Sequence, residues 1–129
     1  MDAIKILEEV MRFTEKGEDN RAIDVLFNYG IFTGLPANEE MALHEDLMSE
    51  ADVEKLPISS MLALLSMSLP RCSQMPGREE FFNKVERELL ARGESEERIE
   101  RLLKGLDCRD GGARARWGYG IIKRVLGIR

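Results

Sequence analysis

Residues 56–90 read LPISSMLALLSMSLPRCSQMPGREEFFNKVERELL and contain the longest apolar run and the clearest helix boundaries in the chain. Residues 58–69 are apolar on most sides, which is typical of a helix in the middle of a bundle. Pro57 suits the first turn of this helix and Pro70 ends it, because proline cannot donate the backbone hydrogen bond that a helix interior requires. The stretch therefore predicts a central buried helix.

The flanking segments show the 3.6-residue apolar periodicity of amphipathic helices. In residues 3–16 it predicts an inward stripe of Ile4, Leu7, Met11 and Thr14, widened by Ile6, Val10 and Phe13, and in the third helix an inward set of Met41, Leu43, Leu47 and Met48. We predict that the first helix ends in a left-handed cap at Gly17 and that a second helix begins near Asp19 or Asn20. Asn38 and Ser95 are predicted N-caps of later helices, and Gly93 is a predicted C-cap. We predict an all-α fold, a compact bundle of five to six short helices with a basic C-terminal extension.

Length and composition favour one ordinary globular domain. The chain has 129 residues, of which 43% are hydrophobic and 33% charged. No run approaches the roughly 18 apolar residues of a membrane span. The first residues contain acids where a signal peptide requires cations, which predicts a cytoplasmic protein. Cys72 and Cys108 are interpreted as free thiols, although a disulfide between them stays open.

The charge distribution divides the chain in two. Residues 1–107 contain 13 Lys or Arg and 23 Asp or Glu, whereas residues 108–129 contain six Lys or Arg and a single Asp. We therefore distinguish an acidic helical bundle, residues 1–107, from a basic extension, residues 108–129, that we expect to be a short helix docked on the bundle. Such an asymmetry is typical of proteins with a charged partner.

One stretch resembles a known group of proteins. Residues 62–85 contain LALL, LP, Met75-Pro76, Arg78 and Phe81-Phe82-x-x-Val85. This pattern is similar to an LALL…LP…LPxRxxFF-like stretch in small uncharacterised helical proteins of bacteria and phages. The resemblance implies a bacterial or phage setting and assigns no functional residue to this chain.

The possible catalytic and metal-binding residues are few. Glu40 and His44 share one helix face as a metal pair would, but a zinc site needs further ligands, and a surface histidine beside acids is the preferred interpretation. Cys72 follows a cation that would favour its thiolate, yet no base adjoins it. Gly111-Gly112 and Gly118-x-Gly120 complete no phosphate-binding motif. We predict no enzyme, and no catalytic, metal or cofactor site.

Two charged surfaces are the candidates for binding a partner. Seven acids lie between residues 39 and 54 without a single Lys or Arg, and such a face attracts basic proteins and can even mimic nucleic-acid phosphate. The extension combines cations with aromatic rings, which suits phosphate contacts and base stacking, or else a membrane surface or a protein groove. The candidate residues are Glu39, Glu40, Glu45, Asp46 and Glu50 on the acidic side, and Arg114, Arg116, Trp117, Tyr119, Lys123 and Arg124 in the extension.

These patterns predict a non-catalytic protein–protein interaction module, a regulator or inhibitor of bacterial or phage origin. The alternative function is a nucleic-acid-binding accessory protein that uses the basic aromatic extension, although the acidic bundle would repel a polyanion. Self-association into a homo-oligomer is also open, because seven methionines and an apolar helix offer adhesive surface.

Overall fold

The computed structural model describes residues 2–31, 34–68 and 78–109, and these ranges are helical throughout apart from short connections. No strand occurs in them, so the all-α prediction is confirmed for the described part of the chain. The helices are α1 (Ala3–Glu15), α2 (Asp19–Leu26), a π-helical turn (Phe27–Ile31), α3 (Ala37–Glu50), α4 (Ile58–Ser68), α5 (Arg78–Ala91) and α6 (Glu96–Arg109).

Helix α4 lies at the centre of the bundle, as its apolar sequence predicts. It contacts α2, α3, α5 and α6, while α1 packs against α2 and α3. A helix with neighbours on several sides has no solvent face, which is why residues 58–65 are all buried. The rest of the core comes from one face of each outer helix, including Ile6, Val10, Leu26, Leu47, Val85 and Leu106.

Local signals for helix ends are confirmed at several positions. Gly17 has a φ of 74° and Gly93 a φ of 65°, the left-handed conformation that glycine adopts without strain after a helix. The Ser95 hydroxyl accepts a hydrogen bond of 3.2 Å from the Arg98 amide at the start of α6. At the start of α3 the prediction is wrong, since the helix begins at Ala37 after Pro36 and no side chain caps it.

The inward face of α1 differs from the predicted stripe. Ala3, Ile6, Leu7 and Val10 are buried, whereas the side chain of Ile4 is 56% exposed. Helix α1 contacts both α2 and α3, and its most deeply buried side chains are Ile6 and Val10, so the inward face is centred on these two residues. Ile4 is thereby left on the edge of the bundle.

A partly buried arginine joins the end of α5 to the connection after α3. The Arg92 guanidinium donates hydrogen bonds to the carbonyls of Val53 at 3.0 Å and Glu54 at 3.1 Å, and its Nε bonds Glu88 at 2.9 Å. Because the guanidinium is a planar group with several fixed donors, it holds the connection in one conformation. The turn that follows α3 is therefore positioned by α5.

Helix α6 continues through Cys108 to Arg109, two residues beyond the predicted limit of the bundle. The remainder of the basic extension, residues 110–129, lies outside the described residues, and so does Cys72. None of the helices in the described ranges is both long and apolar enough to cross a membrane.

Candidate protein-binding site

Three of the predicted acidic residues form a line along the outside of α3. Glu39, Asp46 and Glu50 are exposed, and their spacing of seven and four residues places them on one side of a helix. Glu45 is partly buried and points away from this line. We call Glu39, Asp46 and Glu50 the acidic stripe.

The structure buries Glu40, contrary to its predicted place on the acidic face. Its side chain is only 4% exposed, and that of His44 is only 2% exposed. The interpretation of His44 as a surface histidine is therefore also wrong. Both residues face inward because α3 turns its 40–44–47 face toward the bundle, whereas Met41, expected inside, is 42% exposed.

His44 binds the end of the π-helical turn. Its Nε2 lies 2.5 Å from the carbonyl oxygen of Gly30 and 3.8 Å from Oε1 of Glu40. A carbonyl can only accept, so Nε2 carries the proton in this bond. The last carbonyls of a helix lack partners within the helix, and His44 supplies one from α3. Glu40 and His44 therefore connect two parts of the bundle and are not part of a surface for partners.

A groove with an apolar floor opens where the acidic stripe ends. It lies between α1 and the connection that follows α3, with a volume of about 490 Å³. Ile4, Leu7, Met11 and Leu56 form its apolar part. A concave surface of this size accommodates side chains from a helix or an extended peptide. We call it the α1 groove.

The rim of the α1 groove is predominantly acidic. Glu8, Glu15, Glu50 and Asp52 line it, together with Arg12 and Lys55. Each of the two cations already has an acid nearby, because Arg12 lies 2.6 Å from Glu9 and Lys55 lies 3.8 Å from Asp52. No ion pair within the described residues involves Glu8, Glu15 or Glu50, so their charges face solvent.

Glu50 joins the two features into one site. It is the last acid of the stripe and also a residue of the groove rim. Its helix ends at that point, and the following turn is held by Arg92. The site therefore combines an apolar floor with carboxylates on the same side of the bundle, which is the complement of a basic amphipathic segment.

The remaining predicted site residues belong to the basic extension. Arg114, Arg116, Trp117, Tyr119, Lys123 and Arg124 lie outside the described residues. Within residues 2–31, 34–68 and 78–109, no group of three or more His, Cys, Asp or Glu side chains has an arrangement that could hold a metal ion.

Sequence reasoning missed the apolar half of the site. Ile4 was assigned to the core, because a wide apolar stripe does not show which of its edges meets the neighbouring helices. One signal in the sequence indicated that Ile4 is exposed, because Ile4 lies four residues before Glu8 and therefore shares a side of the helix with this acid. The groove itself has no sequence signal, because its two walls are some 40 residues apart along the chain.

Comparisons of the chain with protein-family models, with curated proteins and with solved structures found no match.

Proposed function

We propose that the protein is a non-catalytic interaction module that binds a basic segment of another protein along the acidic stripe and the α1 groove. The observation that carries the proposal is the juxtaposition of an exposed apolar side chain, Ile4, with three rim acids, Glu8, Glu15 and Glu50, that form no ion pair in the described structure. Apolar contact would supply affinity, and the carboxylates would supply attraction and orientation.

A regulatory or inhibitory role in a bacterium or phage belongs to the same proposal. A line of carboxylates on a rigid helix can occupy a surface that normally binds nucleic-acid phosphate, which would make the protein an inhibitor of a nucleic-acid-binding partner. The resemblance of residues 62–85 to bacterial and phage proteins supports the setting, and the composition supports a cytoplasmic location. Nucleic-acid binding by the extension remains a prediction from sequence.

The proposal is tested by reversing the charge of the acidic stripe. The variant Glu39→Lys/Asp46→Lys/Glu50→Lys is compared with the unchanged protein in affinity capture from nuclease-treated bacterial extract. Any protein captured is then purified and its binding measured by calorimetry. We expect the reversal to abolish capture of basic proteins, because it replaces attraction by repulsion at each position.

The matched control reverses three exposed acids of α5 and α6, with Glu80→Lys, Glu86→Lys and Glu97→Lys. This control has the same net charge but leaves the stripe intact, so it is expected to bind as the unchanged protein does. Equal loss in both variants would indicate a general charge effect. Unchanged binding by the stripe variant would show that the proposed surface is wrong.

A further inference from the structure

We infer that the segment bound in the α1 groove is an α-helix of the partner, with two Lys or Arg residues seven positions apart beside its apolar face, opposite Glu8 and Glu15. This inference rests on the proposed function, which assigns a basic segment of another protein to the site. It adds the conformation and the charge spacing of that segment. Its support comes from the spacing of residues on α1, from the acids on both walls of the groove and from the backbone of the opposite wall.

The apolar residues of α1 follow the spacing of a contact between two helices. Ile4, Leu7 and Met11 line the groove at intervals of three and four residues. This is the pattern by which one helix receives the apolar side chains of another between its own. The pattern extends over two helical turns, or about 10.5 Å. The floor therefore suits a partner helix that lies along α1 and carries apolar side chains at the same spacing.

Two acids of α1 flank this floor on one side. Glu8 and Glu15 are exposed and seven residues apart, so they lie on the same side of α1 with two turns between them. In paired helices such flanking positions hold charges that face opposite charges of the partner. Two cations seven residues apart on a partner helix are also separated by two turns. They can face both carboxylates whichever way that helix runs.

Arg12 lies between these two acids in the sequence but binds other residues. Its guanidinium donates hydrogen bonds to Glu9 at 2.6 and 3.0 Å, and it lies 4.9 Å from the centre of the Phe13 ring. Among the residues that the structure describes, no ion pair involves Glu8 or Glu15. Both carboxylates are therefore available to cations of a partner.

The opposite wall of the groove also carries acids. Glu50 ends α3, Asp52 follows in the connection, and both line the groove. Lys55 lies 3.8 Å from Asp52 and so balances part of this charge, whereas Glu50 has no ion pair in the described ranges. A bound helix would meet carboxylates on both sides of its apolar face. Cations on the flanks of an apolar stripe are typical of basic amphipathic helices.

An extended segment fits the groove less well than a helix, because the groove offers no backbone edge for it to pair with. Extended peptides commonly bind by adding a strand to a sheet, and the described ranges contain no strand. In the connection that forms the second wall, the carbonyls of Val53 and Glu54 already accept hydrogen bonds from Arg92. A helix satisfies its own backbone groups and binds through side chains alone.

Three synthetic peptides of identical composition test the inference. Each has about 18 residues, or five helical turns, in an alanine-rich sequence with leucines at intervals of three and four. The first carries lysines seven positions apart beside the leucine stripe, and the second carries them on the opposite side of the helix. The third repeats the first but has its single proline in the middle instead of at the N-terminus, which prevents a continuous helix.

Binding of the labelled peptides is measured by fluorescence anisotropy at low salt, where charges are screened least. We expect the first peptide to bind about tenfold more tightly than the second, because each charge pair lost at a rim costs a factor of a few in affinity. We expect a similar loss for the third peptide, because its apolar side chains no longer form one stripe.

Charge removal on α1 locates the contact. Glu8→Gln/Glu15→Gln keeps the size of both side chains, and we expect the preference for the first peptide over the second to fall from about tenfold to about threefold or less. The matched control, Glu86→Gln/Glu97→Gln, has the same net charge and changes exposed acids of α5 and α6. It should keep the preference in full. Circular dichroism verifies that each variant is folded.

Removal of the exposed apolar side chain tests the floor. Ile4→Ser is expected to weaken binding of the first peptide several-fold, because Ile4 no longer contributes apolar contact. Leu90→Ser, at a position of α5 that is 75% exposed, should leave binding unchanged. Sedimentation of the unchanged protein and of Ile4→Ser shows whether a second copy occupies the groove instead. We expect both to be monomers, since two acidic surfaces repel each other.

Several results would overturn the inference. They are equal affinity of the three peptides, a preference that Glu8→Gln/Glu15→Gln leaves unchanged, equal losses in the control variants, or a dimer that Ile4→Ser dissociates. Capture of a partner by the acidic stripe is a separate measurement. Intact stripe-dependent capture without a preference among the peptides refutes this inference alone. Capture that the stripe variant does not alter, together with no binding of any cationic peptide, refutes the proposed function.

Discussion

Replacing His44 by leucine is expected to destabilise the bundle by about 2 kcal/mol, because a buried carbonyl then loses its donor. In the structure His44 Nε2 lies 2.5 Å from the Gly30 carbonyl, and its side chain is almost fully buried. Leucine has a comparable apolar volume but no donor. The cost of an unsatisfied buried polar group is about 1–3 kcal/mol.

Loss of the contact with Glu40 increases the destabilisation caused by His44→Leu, whereas burial of the apolar leucine side chain decreases it. The Glu40 carboxylate lies 3.8 Å from His44 Nε2, so the leucine substitution also removes a polar neighbour of this carboxylate. Breaking a buried charged pair costs up to about 3–5 kcal/mol, which is an upper limit here. We therefore expect the free energy of unfolding to fall by about 2 kcal/mol, which is equivalent to a decrease in Tm of roughly 8 °C for a domain of this size.

The assay is urea unfolding followed by circular dichroism, in which a shift of the midpoint at constant slope reports stability. His44→Gln is the informative companion, because the glutamine amide can donate to the Gly30 carbonyl from a similar position, and it should lose only about half as much. Asp46→Ala, an exposed position on the same helix, should stay within about 0.5 kcal/mol. Equal stability of His44→Leu and the unchanged protein, or a glutamine variant no better than the leucine variant, would refute the reasoning.

Three further stability changes follow from the packing, each measured by urea unfolding. Leu62→Ala is expected to lose about 3 kcal/mol, because Leu62 is fully buried in α4 and its removal leaves a cavity. Arg92→Met should lose about 1–2 kcal/mol, since the bonds to two carbonyls of the connection after α3 disappear while the aliphatic stem is kept. Ser60→Ala should be neutral or slightly stabilising, because the buried Ser60 hydroxyl has no hydrogen-bond partner among the described residues.

Two of these changes, Leu62→Ala and Arg92→Met, have simple controls. Leu90→Ala removes the same side-chain atoms at an exposed site, and Arg87→Met removes an exposed arginine of α5, so neither should shift the midpoint by more than about 0.5 kcal/mol. A stable Leu62→Ala variant would contradict the central position of α4. A stable Arg92→Met variant would show that the turn after α3 does not depend on α5, and a destabilised Ser60→Ala would indicate a hydrogen bond that the packing does not explain.

The sequence predicted helix positions well where local chemistry decides them. Gly17 and Gly93 end helices because glycine alone adopts a positive φ without strain, and Pro57 precedes α4 because proline fits a first turn. Residues 58–65 are buried as predicted, because their apolar character on all sides leaves no orientation in which they could face water. These features need no knowledge of neighbouring helices.

The orientation of α1 and α3 could not be predicted in the same way. The apolar residues of α1 cover about half of its circumference and those of α3 are spread further around it, so the sequence does not determine which edge of each helix meets its neighbours. Ile4 and Met41 were placed inside and are exposed, whereas Glu40 and His44 were placed outside and are buried. Contacts with the π-helical turn and with α2 selected among these faces.

The sequence by itself determined the helical class, the central place of residues 58–65 and the separation of an acidic bundle from basic residues at the end of the chain. These are properties of composition and of spacing over a few residues, and local physics suffices to predict them. The tertiary structure alone decided which acids reach solvent and that Ile4 and Glu50 border one groove. That decision depends on how helices distant in sequence pack together, since the exposed side of each helix is whatever its neighbours leave uncovered.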